Sequence, residues 1–306
     1  MPSLPSQSLT TLLRNCIAVL VLFGFQLSAS AQVIERPASF AVLDFNKSTI
    51  GRITSDKLAA GLAQEGGVTV LDRDQVRAAA AGAGYAGSIN LSVGEARDLG
   101  AALGSEFFVL GDAQTLRRSP STGPIYFDSY ASIFLVSSRT GRLIFWERPN
   151  VRASTAPAAE ELLLTELSKN DLRQRLITAM RRAREDERGE RELTSERQVP
   201  VIEAAPDDDK LAEAEGLRLP RPYRRLVPAY PESAAKAEAE ATVDVLVDLD
   251  AEGEVKRVEV ARWAGFGLDQ ATIETVQRLH FFPAMREGVA IPIRVLLRYN
   301  FRKPQP

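Results

Sequence analysis

Ile291-Pro292-Ile293-Arg294-Val295-Leu296-Leu297-Arg298-Tyr299-Asn300-Phe301 is the most regular stretch of a 306-residue chain. Ile291, Ile293, Val295, Leu297, Tyr299 and Phe301 alternate with Pro292, Arg294, Leu296, Arg298 and Asn300. A period of two is the signature of a β-strand with one face turned inward. Six apolar side chains on that face need a cover, and burying each contributes about 1.5–3 kcal/mol. The opposite face carries Arg294, Arg298 and then Arg302. A proline near the strand start and a cationic row are devices that blunt an edge strand. Such an edge leaves N–H and C=O groups unpaired, and an extended peptide can be added to it through main-chain hydrogen bonds.

The preceding sequence supplies the cover. Val243, Val245, Val247 and Leu249 share one face of a strand whose other face holds Thr242, Asp244 and Asp248. Glu252-Gly253-Glu254 predicts a turn, and Val255 to Ala261 returns as the partner strand. Leu268 to His280 has helical spacing, and Pro283 forbids its continuation. These pieces predict a small antiparallel sheet packed with a helix.

A different rhythm governs the first half. Ser39 to Phe45 and Val68 to Leu71 read as buried strands, separated by a helix from Ile53 to Glu65 that Gly66-Gly67 ends. Asp72 is placed to cap a helix from Arg73 to about Ala83. Ser92 and Glu95 have capping-box spacing ahead of a helix that Gly104 ends after Leu103. Glu106 to Gly111 follows as a third strand, so strands and helices alternate and an α/β layer is expected. Tyr126 to Ser138, the turn Thr140-Gly141 and Arg142 to Glu147 form a hairpin. One long helix is expected from Pro157 to about Glu192, with a densely charged end from Arg181 to Arg197 read as a solvated helix or linker. Residues 198–220, with three prolines and Asp207-Asp208-Asp209, read as a flexible linker. The fold class is thus α+β: an α/β unit over residues 38–180, a connector over 181–221 and a small sheet-and-helix unit over 222–303.

Arg14 precedes a short apolar run, Cys16 to Phe25, and Ala29-Ser30-Ala31 offers small residues for cleavage. That pattern predicts a secretory signal over residues 1–31 and a periplasmic protein beginning at Gln32, or an inner-membrane anchor if the signal is retained. Cys16 is the only cysteine and His280 the only histidine. Removing residues 1–31 therefore leaves neither a disulfide nor a thiolate, and a Cys/His zinc cluster or Cys–His dyad has no basis. Without Gly-x-Ser-x-Gly or a dinucleotide loop following a strand, we expect no catalytic residues, cofactor or metal. A formal net charge of −2 gives no reason to expect nucleic acid as a partner.

Two resemblances follow from these motifs. Val227-Pro228-Ala229-Tyr230-Pro231, the strand Ala241 to Asp250, Glu252-Gly253-Glu254, Phe266-Gly267-Leu268-Asp269, Phe281-Phe282-Pro283-Ala284 and the final strand resemble the C-terminal domain of TonB. The resemblance covers about residues 222–303. It implies a link to energy-transducer and transmembrane transport systems and a job of binding a peptide segment of an envelope or outer-membrane partner, like a TonB box, by strand addition. Carried over by position, the pairing strand is about Ile293 to Phe301. Arg294, Leu296, Arg298 and Asn300 would flank the guest, and Tyr230 and Pro231 would mark the start of the unit. Phe40 to Phe45, Val70 to Arg73, Leu99 to Gly104, Val109 to Asp112 and Thr140-Gly141 resemble, in this order, CsgG-like envelope proteins. That likeness implies an alternative role as an oligomeric assembly or secretion factor of the cell envelope, with a possible homo-oligomer.

Overall fold

A computed structural model describes residues 36–196, 202–206 and 209–303. The expected signal over 1–31 and the aspartates Asp207 and Asp208 lie outside the described residues. Pro37 onward forms one compact unit.

The first lobe is built on a six-stranded sheet. β1 (Ala38–Val42) is central to its parallel half, between β2 (Val68–Val70) and β3 (Phe107–Arg118). β3 then pairs antiparallel with β4 (Tyr126–Ser137) over twelve residues, and β4 carries both β5 (Leu143–Glu147) and β6 (Asn150–Ala153). Alternation along β1 explains the layering. Phe40 and Val42 face one side with Phe107, Val109, Ile133 and Leu135. Ala41 and Leu43 face the other with Phe108, Leu110, Phe134 and Val136. A sheet covered on both faces can carry the unbroken apolar run Phe107 to Leu110.

The first face is closed by α1 (Thr49–Leu62), α4 (Ala156–Ser168) and α5 (Asn170–Glu196), through Leu58, Leu62, Leu163, Leu167, Leu172 and Leu176. The second is partly closed by α2 (Arg73–Gly82) and α3 (Val93–Leu103), through Val76, Ala96, Leu99 and Leu103. The caps expected of Asp72 and Ser92 form. Asp72 accepts from the N–H groups of Asp74 and Gln75. Ser92 and Glu95 make the reciprocal capping box, and Gly104 ends α3 in the left-handed conformation. The single long helix expected from Pro157 is instead two helices, broken where Lys169 turns extended at φ −63°, ψ 139°. The break lets α5 change direction without a proline or glycine to announce it. The charged end of α5 stays helical to Glu196. Glu187 there accepts from Ser137 and Arg139, Glu190 pairs with Arg142, and Arg184 grips Glu106 through both nitrogens.

The second lobe follows a short connector made of α6 (Asp209–Ala214), β7 (Leu217–Arg218) and β8 (Arg221–Pro222). α7 (Glu232–Ala237) leads into β9 (Ala241–Leu249), and β10 (Val255–Arg262) returns antiparallel to it. α8 (Leu268–Val276), β11 (Phe281–Phe282), β12 (Ala284–Arg286) and β13 (Val289–Ile291) precede β14 (Ile293–Phe301). The main sheet has the order β10-β9-β14. The predicted last strand is thus divided at Pro292. Ile291 belongs to β13, which turns back on β12, and only Ile293 to Phe301 joins β9.

The two lobes share one apolar core. The loop between β10 and α8 drives Trp263 and Phe266 against the open part of the first lobe's sheet. Trp263 is 1% exposed. Its ring lies 6.0 Å from that of Phe134, and Phe266 meets Phe134 edge-on at 5.5 Å and Trp146 at 5.4 Å. The Trp263 indole N–H donates to the Gly141 carbonyl at 3.0 Å. Gly141 has φ +69°, and a Cβ there would stand 2.1 Å from the Val93 carbonyl oxygen. Gly265, at φ +74°, leaves no room for a Cβ against the Phe134 ring. Asn90 joins the lobes with one side chain. Its Nδ2 donates to the carbonyls of Thr242 and Trp263, and its Oδ1 accepts the Thr242 N–H.

Replacing Trp263 by alanine removes the largest fully buried side chain at this junction. The expected cost is about 3–5 kcal/mol. Urea unfolding followed by circular dichroism should show one transition in the parent and two in Trp263→Ala, because the lobes lose their common core.

Candidate functional site

β9 and β14 run antiparallel in unbroken register from Ile293↔Leu249 to Phe301↔Ala241. Val243, Val245, Val247, Leu249, Ile293 and Phe301 are buried in the shared core, and Val295, Leu297 and Tyr299 pack against it half-buried. Tyr299 is a phenol whose burial pushes its pKa up.

The opposite face is a ladder of directly facing pairs. Arg294 sits across from Asp248, Leu296 from Leu246, Arg298 from Asp244, and Asn300 from Thr242. Both arginines bind their aspartates bidentately: Arg294 at 2.5 and 2.9 Å, Arg298 at 2.7 and 3.0 Å. Thr242 donates its hydroxyl proton to Asn300 at 2.8 Å. Asp244 and Asp248 are each 5% exposed. Buried carboxylates need such partners, because unpaired charge away from water costs several kcal/mol. The guanidinium groups expected to flank a guest therefore already hold β14 to β9. Asp244 has a second cation, Arg262, at 3.5 Å, which also reaches Glu95. Asp248 has Arg294 alone among the described residues.

Backbone direction decides what β14 offers outward. In an antiparallel pair successive residues point their N–H and C=O to opposite sides. Arg294 donates its N–H to the Glu203 carbonyl at 2.8 Å and accepts from the Ala205 N–H at 2.7 Å, on the side away from β9. Leu296, Arg298 and Asn300 share that outward direction. The edge expected to be open is thus occupied at its beginning by the connector: Ala204 lies parallel to Arg294 in an isolated bridge. Glu203 is fixed a second time by Arg286 at the end of β12, with bonds of 2.9 and 2.6 Å. That contact holds the Glu203 carboxyl below its ordinary range. Farther along, no backbone group among the described residues meets the outward N–H and C=O of Leu296 and Asn300. The Leu296 side chain is 44% exposed.

Tyr230 and Pro231 lie apart from this edge and act on packing. Tyr230 donates to the Ala239 carbonyl at 2.7 Å and its ring lies 6.5 Å from that of Phe301, so it ties the chain before α7 to the far end of β14. Pro231 caps α7 and rests against Gly267. The segment Phe266-Gly267-Leu268-Asp269 has a similar task. Phe266 and Leu268 are buried, Gly267 caps α8 at φ +77°, and Asp269 accepts the N–H groups of Ala264 and Gly265 at 2.8 Å each. The sequence pointed to none of Glu203, Arg286 or Asn90. Each is an isolated polar residue in a stretch with no periodicity, and only the fold brings them to their partners.

Comparison with known proteins places this geometry. Residues 227–302 match the family model of the Gram-negative bacterial TonB protein C-terminal. Among solved structures, the TonB C-terminal domain of Pseudomonas aeruginosa is 19% identical; 28% of this chain and 89% of that one align, with a TM-score of 0.25. The LpoB C-terminal domain of Salmonella enterica is 16% identical over 39% of this chain and 86% of its own, with a TM-score of 0.28. Lipoprotein GNA1162 of Neisseria meningitidis is 16% identical over 49% of this chain and 99% of its own, with a TM-score of 0.30. No curated protein matches the chain. Among the described residues no helix is long and apolar enough to cross a membrane.

Arg294→Ala strands Asp248 without a cation and should cost about 1–3 kcal/mol. Arg298→Ala should cost less, because Arg262 remains beside Asp244; paired urea titrations compare the two. Burial pushes the Asp269 carboxyl up to about 6, against the pull of its two N–H donors. Its ordinary value is about 3.9. The folded chain then holds this proton more tightly than the unfolded one, so the stabilisation is fully present below about pH 4 and is lost as pH rises through about 6. The thermal-midpoint difference between the parent and Asp269→Ala should be larger at low pH than at neutral pH.

Proposed function

We propose that this is a periplasmic cell-envelope protein that binds an extended peptide of an envelope or outer-membrane transport partner by adding it as a strand to β14. The outward backbone groups of Leu296 and Asn300, on a strand held straight by the β9 ladder, carry the reading. Main-chain hydrogen bonds there supply affinity, and neighbouring side chains supply choice. The match of residues 227–302 to the TonB C-terminal family supports it. The arginines contribute by fixing the register of β14, and the exposed Leu296 is the apolar contact a guest meets first. The lobes share one apolar core, so a captured peptide is joined to the whole unit.

Proline at position 296 tests the mechanism. The Leu296 N–H points away from β9, so Leu296→Pro removes a donor from the edge and leaves the β9 ladder whole. Peptides selected from a displayed library on the parent protein should bind Leu296→Pro at least about tenfold more weakly, a loss of roughly 1.4 kcal/mol. Leu296→Ala, which keeps the N–H, should retain most of their affinity. Fluorescence anisotropy with circular dichroism as the folding check measures both, and undiminished binding to Leu296→Pro removes strand addition.

A further inference from the structure

The same edge already has an extended segment of this chain on it. Glu203, Ala204 and Ala205 run parallel to β14, exchange two main-chain hydrogen bonds with Arg294, and insert a carboxylate between the Arg286 nitrogens. Three features make this more than a passing connector. The contact has the main-chain geometry of a guest strand. Its small residues, Ala204 and Ala205, leave the backbones free to approach. Its one charged side chain is read by a two-nitrogen fork, the arrangement that distinguishes arginine from lysine in carboxylate recognition. Arg286 lies outside the β9–β14 ladder: β12 carries it, pairing with β13 and β7. It therefore neither fixes the register of β14 nor fills the core.

We infer that Glu203–Ala205 is a built-in competitor for the β14 edge and that Arg286 selects partners whose extended segment carries an acidic side chain in the place of Glu203. This rests on the strand-addition reading and adds the partner's chemistry and a threshold to it. A segment tethered in the same chain competes at a high effective concentration, about millimolar for short flexible linkers. A partner that covers the full length of β14 must displace it and inherits the Arg286 fork. One that stops at Leu296 leaves it in place and forgoes the carboxylate contact.

A fluorescein-labelled peptide with the sequence Val-Ile-Glu-Ala-Ala-Pro, copying residues 201–206, is the probe. Glu203 is exposed, so Glu203→Arg in the full chain repels the segment from Arg286 and leaves the core untouched. The peptide should bind Glu203→Arg at least about tenfold more tightly than the parent, since the tethered competitor is lost. Adding Arg286→Glu to Glu203→Arg restores the tethered pair with its charges exchanged and should return binding to the parent's weak level. The single variant Arg286→Glu should prefer a probe in which arginine replaces the glutamate. Equal affinity for the parent and Glu203→Arg overturns the competitor and leaves strand addition standing. Binding to neither, at any accessible concentration and with both proteins folded, overturns the competitor together with strand addition. A Glu203→Arg chain that binds acidic and basic probes alike overturns selection by Arg286.

Discussion

The ladder between β9 and β14 governs this molecule. A β-strand can send the hydrogen-bonding groups of any one residue to one side only. Because Ile293, Val295, Leu297, Tyr299 and Phe301 spend theirs on β9, the residues between them must face outward. The ion pairs Arg294–Asp248 and Arg298–Asp244 lock that parity. A slip of one residue would bury arginines and expose valines. The cationic row suggested by the sequence is better understood as a register lock than as a landing strip for a guest.

A second constraint is the aromatic junction. The first lobe's sheet has two faces to cover, and its own helices finish only one of them. Trp263 and Phe266 complete the other, with Phe134 and Trp146 as their counterparts. Phe266 itself sits at φ +54°, a conformation unfavourable for an aromatic residue, and the surrounding packing holds it there. The buried carboxyl of Asp269 secures the loop from beneath.

Much of this was legible from residue order. The alternation in β9 and β14, the caps at Asp72 and Ser92, and the turn at Gly253 are local signals, and local chemistry produced them. The match between Asp244/Asp248 and Arg294/Arg298 was present as equal spacing, but spacing alone does not say which residue faces which. The break at Lys169 was hard to read, since the apolar helix pattern continues across it and no proline or glycine marks it. The short stretch Glu203–Ala205 is too brief for periodicity, and its single bridge to β14 depends on the unpaired groups that β14 offers beside it. Asn90 is likewise silent in one dimension, for its partners lie 152 and 173 residues away.

Asn90 also limits how far the second lobe can be separated from the first. A gene segment encoding only residues 227–302 would resemble a portable cassette, yet its product would carry Trp263 and Phe266 naked to water and the main chain of Thr242 short of its amide clasp. Such a transplant would have to bring the loop that supplies Asn90 or rebuild that face. Each substitution at the seam is therefore answerable to a residue encoded far upstream or downstream.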